Sequence, residues 1–189
     1  MLPLSLSPPP SRPFPSVAIG NVSGASLYMH CGLEQVIQNN IFWGNHQSPR
    51  ADKSYVGSPG LIGSCNTGGV EPQWTNISAT LASNIFLLTA TGSTLFNGGS
   101  FFQNESFSSN VYFAAPPVNA TTALLWPGVA ESTWRDWQEW LAAGQDTGST
   151  IADPLVASVG VNFTLLPGSP ALARGFQQLQ QSWGPDAAN

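Results

Sequence analysis

Short stretches rich in apolar, β-branched and aromatic residues recur along this chain, and Gly, Pro, Asn and Ser separate them. Such runs, bounded by turn residues, are typical of β-strands. The pattern predicts strands over 17–19, 26–30, 34–37, 80–88, 93–96, 100–102 and 107–113. The stretches 63–69 and 97–99 are rich in Gly and Asn, the residues that most readily adopt the positive φ angles of tight corners.

An Asn followed by a β-branched residue and an aromatic residue recurs three times. The pattern occupies 40–42, 84–86 and 110–112, so the Asn residues are separated by 44 and 26 positions. Recurrence at 20 to 50 residues indicates a stacked architecture in which no unit buries its apolar face alone. We expect Asn40, Asn84 and Asn110 to line up at one corner, hydrogen-bonded to its backbone. Chance recurrence in an antiparallel β-protein stays open as the alternative.

The segment 132–144 predicts one helix, over 133–143. Thr133 is expected to cap it, Asp136 to reach back to its first turn and Gly144 to close its end. Four residues share its apolar face: Trp134, Trp137, Trp140 and Leu141. This face could serve as a stacking platform for sugar rings, or it could pack on the end of a β-core. Packing is the favoured interpretation, because an apolar stripe opposite a polar face is what packing alone requires.

Two motifs with many fixed positions follow within and after this helix. W-x-x-W-x-x-x-G-Q-D-x-x-S-x-x-A-D-P-L begins at Trp137, and N-F-x-L-x-P-G-S-P-A-L-x-x-G-F begins at Asn162. Together they resemble the carboxyl end of right-handed parallel β-helix proteins of the pectate-lyase-like superfamily, and HCGLEQVIQNNIFWGN at 30–45 is similar to the preceding coil of those proteins. The resemblance covers residues 20–185 and implies a long groove in which lyases, hydrolases or epimerases act on polysaccharides.

The predicted fold class is therefore all-β, a right-handed parallel β-helix (a solenoid) with a C-terminal capping α-helix. Residues 1–16 are predicted to be a disordered, proline-rich lead-in, 17–130 the coils, and 131–189 a cap of helix, strand and irregular tail. The chain resembles the last coils of the family, with no cap predicted at the amino-terminal end. We therefore expect part of a longer architecture, or self-association through that end, because an open end exposes strand edges.

The composition narrows the classes of partner. Lys and Arg total 5 against 10 Asp and Glu, and only 8% of residues are charged, against about 25% in an average soluble domain. No basic stripe is present to neutralise phosphates, so nucleic acid is excluded as a predicted partner. No apolar run reaches the roughly 18 residues of a membrane span, so no membrane partner is predicted either. A polysaccharide or other glycan remains the predicted partner class.

Asn-x-Ser/Thr triplets number five, against roughly two expected from the composition. They predict glycosylation in an extracellular or secretory protein, although residues 1–16 carry no recognisable signal peptide. The candidate positions are Asn21, Asn76, Asn104, Asn119 and Asn162. Cys31 and Cys65 could pair after export or remain free as small buried residues, and both alternatives stay open.

Glycoside hydrolysis requires two carboxylates at a defined separation, and lyase chemistry requires a base beside a cation. The acidic residues offer no close pair on a predicted strand. Asp136 and Glu139 lie on the predicted helix surface. Asp146 and Asp153 fall in turns, where a carboxylate that accepts backbone N–H groups is the usual structural occupant. Catalytic residues therefore stay unassigned, and whether the chain is an enzyme stays open.

A groove, if present, is expected beside the two histidines. The candidate substrate-binding residues are His30, Trp43, His46 and Arg50. Histidine titrates near neutrality and tryptophan offers a stacking face, but structural histidines and a solvated loop are the alternative. No metal site or cofactor is predicted, because the Cys and His residues lack ligand spacing. The predicted function is the carboxyl-terminal part of a carbohydrate-directed protein related to polysaccharide lyases and hydrolases; the alternative is a non-catalytic glycan-binding or cell-surface structural module.

Overall fold

The computed structural model describes residues 16–20, 27–29, 34–44, 60–64, 78–89, 94–96, 105–127, 134–159 and 161–178. The first ten strands are β1 (Ser16–Gly20), β2 (Leu27–Met29), β3 (Gln35–Gln38), β4 (Asn40–Gly44), β5 (Gly60–Ser64), β6 (Ala79–Ala82), β7 (Ile85–Leu88), β8 (Thr94–Phe96), β9 (Glu105–Ser108) and β10 (Val111–Ala114). They are followed by α1 (Ala120–Ala123), β11 (Trp126–Pro127), β12 (Trp134–Arg135), α2 (Trp137–Ala142), β13 (Thr150–Ile151), β14 (Val156–Ser158), β15 (Asn162–Leu165) and α3 (Pro170–Ala173). The predicted lead-in before Ser16 and the predicted strand at 100–102 lie outside the described residues.

These strands form three parallel sheets and two antiparallel ribbons. The largest sheet has the order β1-β4-β7-β10-β13, and the two three-stranded sheets have the orders β2-β5-β8 and β3-β6-β9. The ribbons are β11-β12 and β14-β15. Every described strand pair inside the three larger sheets is parallel.

The predicted fold class, one all-β right-handed β-helix with a single capping helix, is wrong. The parallel strands are divided among separate small sheets, and three short helices and two antiparallel ribbons lie among the described elements. The recurring Asn pattern specifies one corner and the register across one sheet. It carries no information on how the remaining strands are arranged, so it could not determine the architecture of the whole chain.

The two longest predicted strands are each broken into two. The segment 80–88 divides at Ser83, where φ is 51°, and the segment 107–113 divides at Ser109, where φ is 54°. Asn39, at the corresponding position before β4, has φ of 60°. A positive φ is uncommon for residues other than Gly, and it redirects the chain sharply. At each of these corners the chain passes from the β3-β6-β9 sheet to the five-stranded sheet.

An amide row connects the three corners. Oδ1 of Asn84 accepts hydrogen bonds from the backbone N (3.0 Å) and Nδ2 (3.2 Å) of Asn40. Oδ1 of Asn110 in turn accepts from the backbone N (2.9 Å) and Nδ2 (3.3 Å) of Asn84. The predicted alignment of the three residues is confirmed, and each side chain satisfies a backbone N–H of the neighbouring corner.

The same side chains reach back to a second sheet. Nδ2 of Asn84 donates to the carbonyl oxygen of Ile37, and Nδ2 of Asn110 donates to that of Leu81, both at 2.9 Å. Ile37 and Leu81 belong to β3 and β6, which pair in the β3-β6-β9 sheet. Asn84 and Asn110 are buried, with 1% and 0% exposure. The amide row therefore joins two sheets at their shared corner without leaving its own polar groups unsatisfied.

Aromatic rings stack in register beside the amide row. Phe42, Phe86 and Tyr112 occupy paired positions on β4, β7 and β10. Their ring centroids are 5.1 and 5.2 Å apart, with interplanar angles of 11° and 10°. This stack belongs to the inner cluster, which we define as the larger apolar core and which also contains Leu81, Phe96, Trp126 and Trp140.

The opposite face of the five-stranded sheet is covered as well. Ile41, Ile85 and Val111 alternate with the stacked rings and pack against Phe176, at the carboxyl end of the described chain. Leu165 and Ala171 complete this outer cluster. A sheet buried on both faces requires nearly continuous apolar strands, as the all-buried β7 shows.

Helix α2 begins later than predicted. Its N-cap is Asp136, not Thr133, and a capping box links Asp136 with Glu139. Residues Trp134 and Arg135 instead pair with β11, which excludes them from the helix. Gly144 follows the helix with φ of 80°, as predicted for its end.

The packing interpretation of the tryptophan face is confirmed for Trp137 and Trp140. Trp140 is buried within the inner cluster, and Trp137 packs against that cluster from a half-buried position. These two indoles are therefore core residues and not a sugar platform. Ser169 caps α3, with Pro170 in its first turn. No helix of the described residues is long and apolar enough to cross a membrane.

Replacing Asn84 by Ala is expected to reduce the free energy of unfolding by about 2–6 kcal/mol. The N–H of Asn40 and the C=O of Ile37 lose the partner that Asn84 provides, at about 1–3 kcal/mol each. Urea unfolding of the variant measures this loss. Ser106→Ala is the control, because its bond to Thr80 is solvent-exposed and water can replace it. Equal stability of the two variants would contradict a structural role for the amide row.

Candidate functional site

Only one of the predicted substrate-binding residues is placed by the structure. Trp43 lies near the end of β4, while His30, His46 and Arg50 lie outside the described residues. The predicted grouping of these four residues therefore stays a prediction. Of the glycosylation candidates, Asn119 and Asn162 are described, and Asn21, Asn76 and Asn104 are not.

Trp43 is half-buried and held by two neighbours. Its indole Nε1 donates a 2.8 Å hydrogen bond to Oγ1 of Thr89. Its ring lies 5.6 Å from the ring of Phe163, centroid to centroid, at an angle of 56°. Trp43 is paired in register with Leu87, which is paired with the half-buried Phe113. We call Trp43, Leu87, Phe113 and Phe163 the outer aromatic patch.

The outer aromatic patch arises from strand alternation. Trp43 and Ile41 are two residues apart on β4, so they face the same side of the five-stranded sheet. The outer cluster covers the row that contains Ile41. In the row that contains Trp43, Leu87 is 1% exposed, whereas Trp43 and Phe113 on either side of it are half-buried. Phe163 on β15 packs against the outer cluster and contacts Trp43. Trp43, Phe113 and Phe163 are each half-buried, so each ring keeps part of its surface exposed.

Three described carboxylates have local structural roles. Asp136 and Glu139 form the capping box of α2, and Oδ1 of Asp153 accepts a 2.8 Å hydrogen bond from the backbone N of Leu155. Within the described ranges, no three His, Cys, Asp or Glu residues are grouped so that they could hold a metal ion.

Asp146 is the most unusual polar residue of the described chain. It is 0% exposed and adopts a positive φ of 53°. Four side chains donate hydrogen bonds to its carboxylate. They are Trp140 Nε1 (2.6 Å), Ser149 Oγ (2.6 Å), Tyr112 Oη (2.9 Å to both oxygens) and Asn110 Nδ2 (3.2 Å). We call these five residues the Asp146 cluster.

The Asp146 cluster ends the amide row. Asn110 donates its backbone N–H to Ser149 Oγ at 2.8 Å, and Ser149 donates to Asp146. The cluster connects β10 with helix α2 through Trp140, and with the loop before β13 through Ser149. A carboxylate with several donors can remain buried because its lone pairs are satisfied.

Burial raises the pKa of Asp146 above its ordinary value, and the hydrogen bonds from Ser149, Trp140, Asn110 and Tyr112 oppose this rise without cancelling it. Burial also raises the pKa of Tyr112 well above its usual range, and the adjacent Asp146 carboxylate reinforces that effect. The Tyr112 hydroxyl therefore keeps its proton and donates a hydrogen bond to Asp146.

This geometry assigns a structural role to the Asp146 cluster. A carboxylate with no exposed surface cannot contact a polysaccharide, whatever its pKa. The sequence prediction placed Asp146 correctly among structural residues, but it expected backbone donors where the structure has side-chain donors. The sequence does contain one indication of a side-chain donor. The aromatic residue of the recurring pattern is Phe42 and Phe86 in the first two copies but Tyr112 in the third, and a buried tyrosine hydroxyl requires a hydrogen-bond partner.

Comparison with protein-family models, curated proteins and solved structures finds no match to this chain.

We expect Asp146→Asn to lower the free energy of unfolding by about 2–4 kcal/mol at neutral pH, because the new amide nitrogen faces donors that lose their acceptor. The pKa of Asp146 is higher in the folded protein than in the unfolded chain, so the folded protein binds this proton more tightly. Protonation of Asp146 therefore stabilises the fold fully below the unfolded pKa of about 3.9, and this contribution is lost as pH rises through the folded pKa. The stability gap between wild type and variant is therefore largest in acid and shrinks with rising pH.

Urea unfolding at a series of pH values measures this gap. Asp153→Asn is the matched control, because an amide oxygen can still accept the hydrogen bond from Leu155. A gap that grows as pH rises would contradict the direction of the pKa shift at Asp146.

Trp140→Phe and Trp126→Phe form a second matched pair. Both indoles are buried in the inner cluster, but Trp140 donates to Asp146, whereas the Nε1 of Trp126 has no hydrogen-bond partner among the described residues. Both changes remove similar volume, so Trp140→Phe should cost about 1.5–3 kcal/mol more than Trp126→Phe, the usual value of a hydrogen bond to a charged group. The measurement is thermal and urea unfolding, and equal losses would be the contrary result.

Proposed function

We propose that this chain is a non-catalytic glycan-binding module that uses the outer aromatic patch as its stacking surface. The observation that carries the proposal is the half-buried Trp43, fixed by Thr89 and Phe163 at the margin of the five-stranded sheet. The resemblance of 137–155 and 162–176 to the carboxyl end of pectate-lyase-like proteins supports a carbohydrate as the ligand class.

The chemistry of the outer aromatic patch suits a sugar ring. A pyranose has an apolar face of C–H groups and a rim of hydroxyl groups, and an aromatic ring with a nearby polar group matches both. Trp43 provides the ring, and Phe163, which contacts it, extends the apolar surface. Because Thr89 already holds the indole, little side-chain freedom is lost when a ligand binds.

The positions of the described carboxylates support the non-catalytic part of the proposal. Of the six described carboxylates, those of Asp136, Glu139 and Asp153 are engaged in turns and caps, and Asp146 and Glu105 are buried, with 0% and 4% exposure. The sixth, Glu34, is exposed. Furthermore, the outer cluster covers the middle of the five-stranded sheet with Leu165, Ala171 and Phe176. A substrate groove along that row would be occupied by the chain itself.

The charge of the chain favours a neutral glycan over a uronate polymer. The formal net charge is −5 at pH 7, with 5 Lys and Arg in the whole sequence. A polyanion would be repelled at long range, and few cations are present to bind its carboxylates. Hence neutral oligosaccharides are the ligand class that this proposal names.

Calorimetric titration with cellohexaose, xylohexaose, mannohexaose and oligogalacturonate tests the proposal. A neutral hexasaccharide should bind more tightly than oligogalacturonate, and Trp43→Ala should weaken its binding by about ten-fold or more, which corresponds to about 1.4 kcal/mol. Trp43→Phe should keep part of the affinity because a ring remains.

Trp137→Phe is the control for general effects of losing an indole, because Trp137 packs on the inner cluster and not in the outer aromatic patch. The glycan affinity of this variant should equal that of the wild type. Absence of binding to all four probes, or unchanged affinity of Trp43→Ala, would overturn the proposal. Release of reducing ends or of unsaturated products during the titration would overturn its non-catalytic part.

A further inference from the structure

Asn119 is the better placed of the two described glycosylation candidates. It caps α1, and it is followed by Ala120, Thr121 and Thr122, all four of which are exposed. This exposed segment is anchored on either side by Val118 and Ala123, which are 8% and 3% exposed and belong to the inner cluster. The segment therefore projects from a fixed base, with solvent beside the Asn119 side chain.

The hydrogen bonds of Asn119 leave its amide nitrogen available. Oδ1 accepts a 3.0 Å hydrogen bond from the backbone N of Thr121, which orients the side chain. No described residue accepts a hydrogen bond from Nδ2 of Asn119. A sugar attached to Nδ2 replaces one of its two hydrogens, so the capping bond to Oδ1 is unaffected by the modification.

Asn162 has a different environment. It is half-buried in β15, it pairs with Ser158 of β14, and its Oδ1 accepts from the backbone N of Thr164 at 2.9 Å. The next residue, Phe163, packs against Trp43 and the outer cluster. A branched glycan at Asn162 would have to be accommodated beside this packed ribbon.

We propose that Asn119 carries an N-linked glycan and that Asn162 does not. The donor class is a lipid-linked oligosaccharide diphosphate. The bond from the anomeric carbon to the diphosphate oxygen breaks, the lipid diphosphate leaves with the electron pair, and the anomeric carbon forms a bond with Nδ2. The displaced amide proton passes to a base of the transferase. The triplet Asn119-Ala120-Thr121 meets the acceptor requirement.

The test is expression of the full chain behind a cleavable secretion signal in animal cells. Both the medium and the endoplasmic-reticulum fraction are treated with a peptide N-glycosidase in ¹⁸O water, which marks each formerly glycosylated Asn as an ¹⁸O-labelled Asp. Peptide mass spectrometry should find the label at Asn119 and not at Asn162. Asn119→Gln and Thr121→Ala should each remove one glycan, as seen by mobility, and Asn162→Gln should remove none.

Thr121→Ser is the rescue variant, because serine retains the acceptor triplet and an unchanged backbone N–H for the capping bond. It should restore the glycan that Thr121→Ala removes. An unlabelled Asn119 peptide in both fractions would overturn the proposal, and a labelled Asn162 would overturn the distinction between the two positions. Neither result depends on whether the chain binds sugars through Trp43, so this test is independent of the proposed function.

Discussion

The fold depends on the requirement that buried backbone N–H groups at a sharp corner find acceptors. A residue with positive φ precedes each corner Asn and turns the chain out of one sheet and into another. The N–H that follows is satisfied by a side chain from the neighbouring corner, which fixes the register of the strands beyond it. In-register pairing then places Phe42, Phe86 and Tyr112 in one stack. The hydrogen bonds of the corner amides and the stacking of the aromatic rings therefore specify the same strand register, and such agreement is characteristic of a foldable sequence.

The hydrogen bonds of the amide row all run in one direction, from Asn40 to Asn110, and the row ends at the carboxylate of Asp146. Each Nδ2 donates toward the next Oδ1, so successive amide dipoles point the same way and the last one points at the carboxylate of Asp146. Negative charge at the acceptor end of aligned donors is favourable, and hydrogen bonds in such chains reinforce one another. Trp140 also donates to this carboxylate, so helix α2 is attached to the same polar network as the sheets. This network stabilises the fold, whereas the outer aromatic patch is the surface proposed to bind a ligand.

The sequence predicted local features better than the whole architecture. The alignment of the Asn residues and the end of α2 at Gly144 could be recognised because each depends on a few neighbouring residues with specific local roles. The arrangement into separate sheets could not, because no local pattern states which strands will neighbour one another. The start of α2 was misplaced because Trp134 pairs with β11, a contact that overrides helix propensity. At the candidate site Trp43 was identified, but its partner Phe163 comes from a distant ribbon and could not be predicted from sequence.

The carboxyl-terminal segment has a consequence for how the protein folds. Asn39 is hydrogen-bonded to Gln177 across 138 positions, and Ser83 to Arg174 across 91. Closing such long loops costs entropy before any contact compensates for it, and chains rich in distant contacts fold slowly. During synthesis, the row Ile41, Ile85 and Val111 lacks its full cover until the segment that contains Leu165, Ala171 and Phe176 has been made. Until then its apolar surface is exposed, and transiently exposed apolar surface is the property that makes a partly folded chain prone to aggregate.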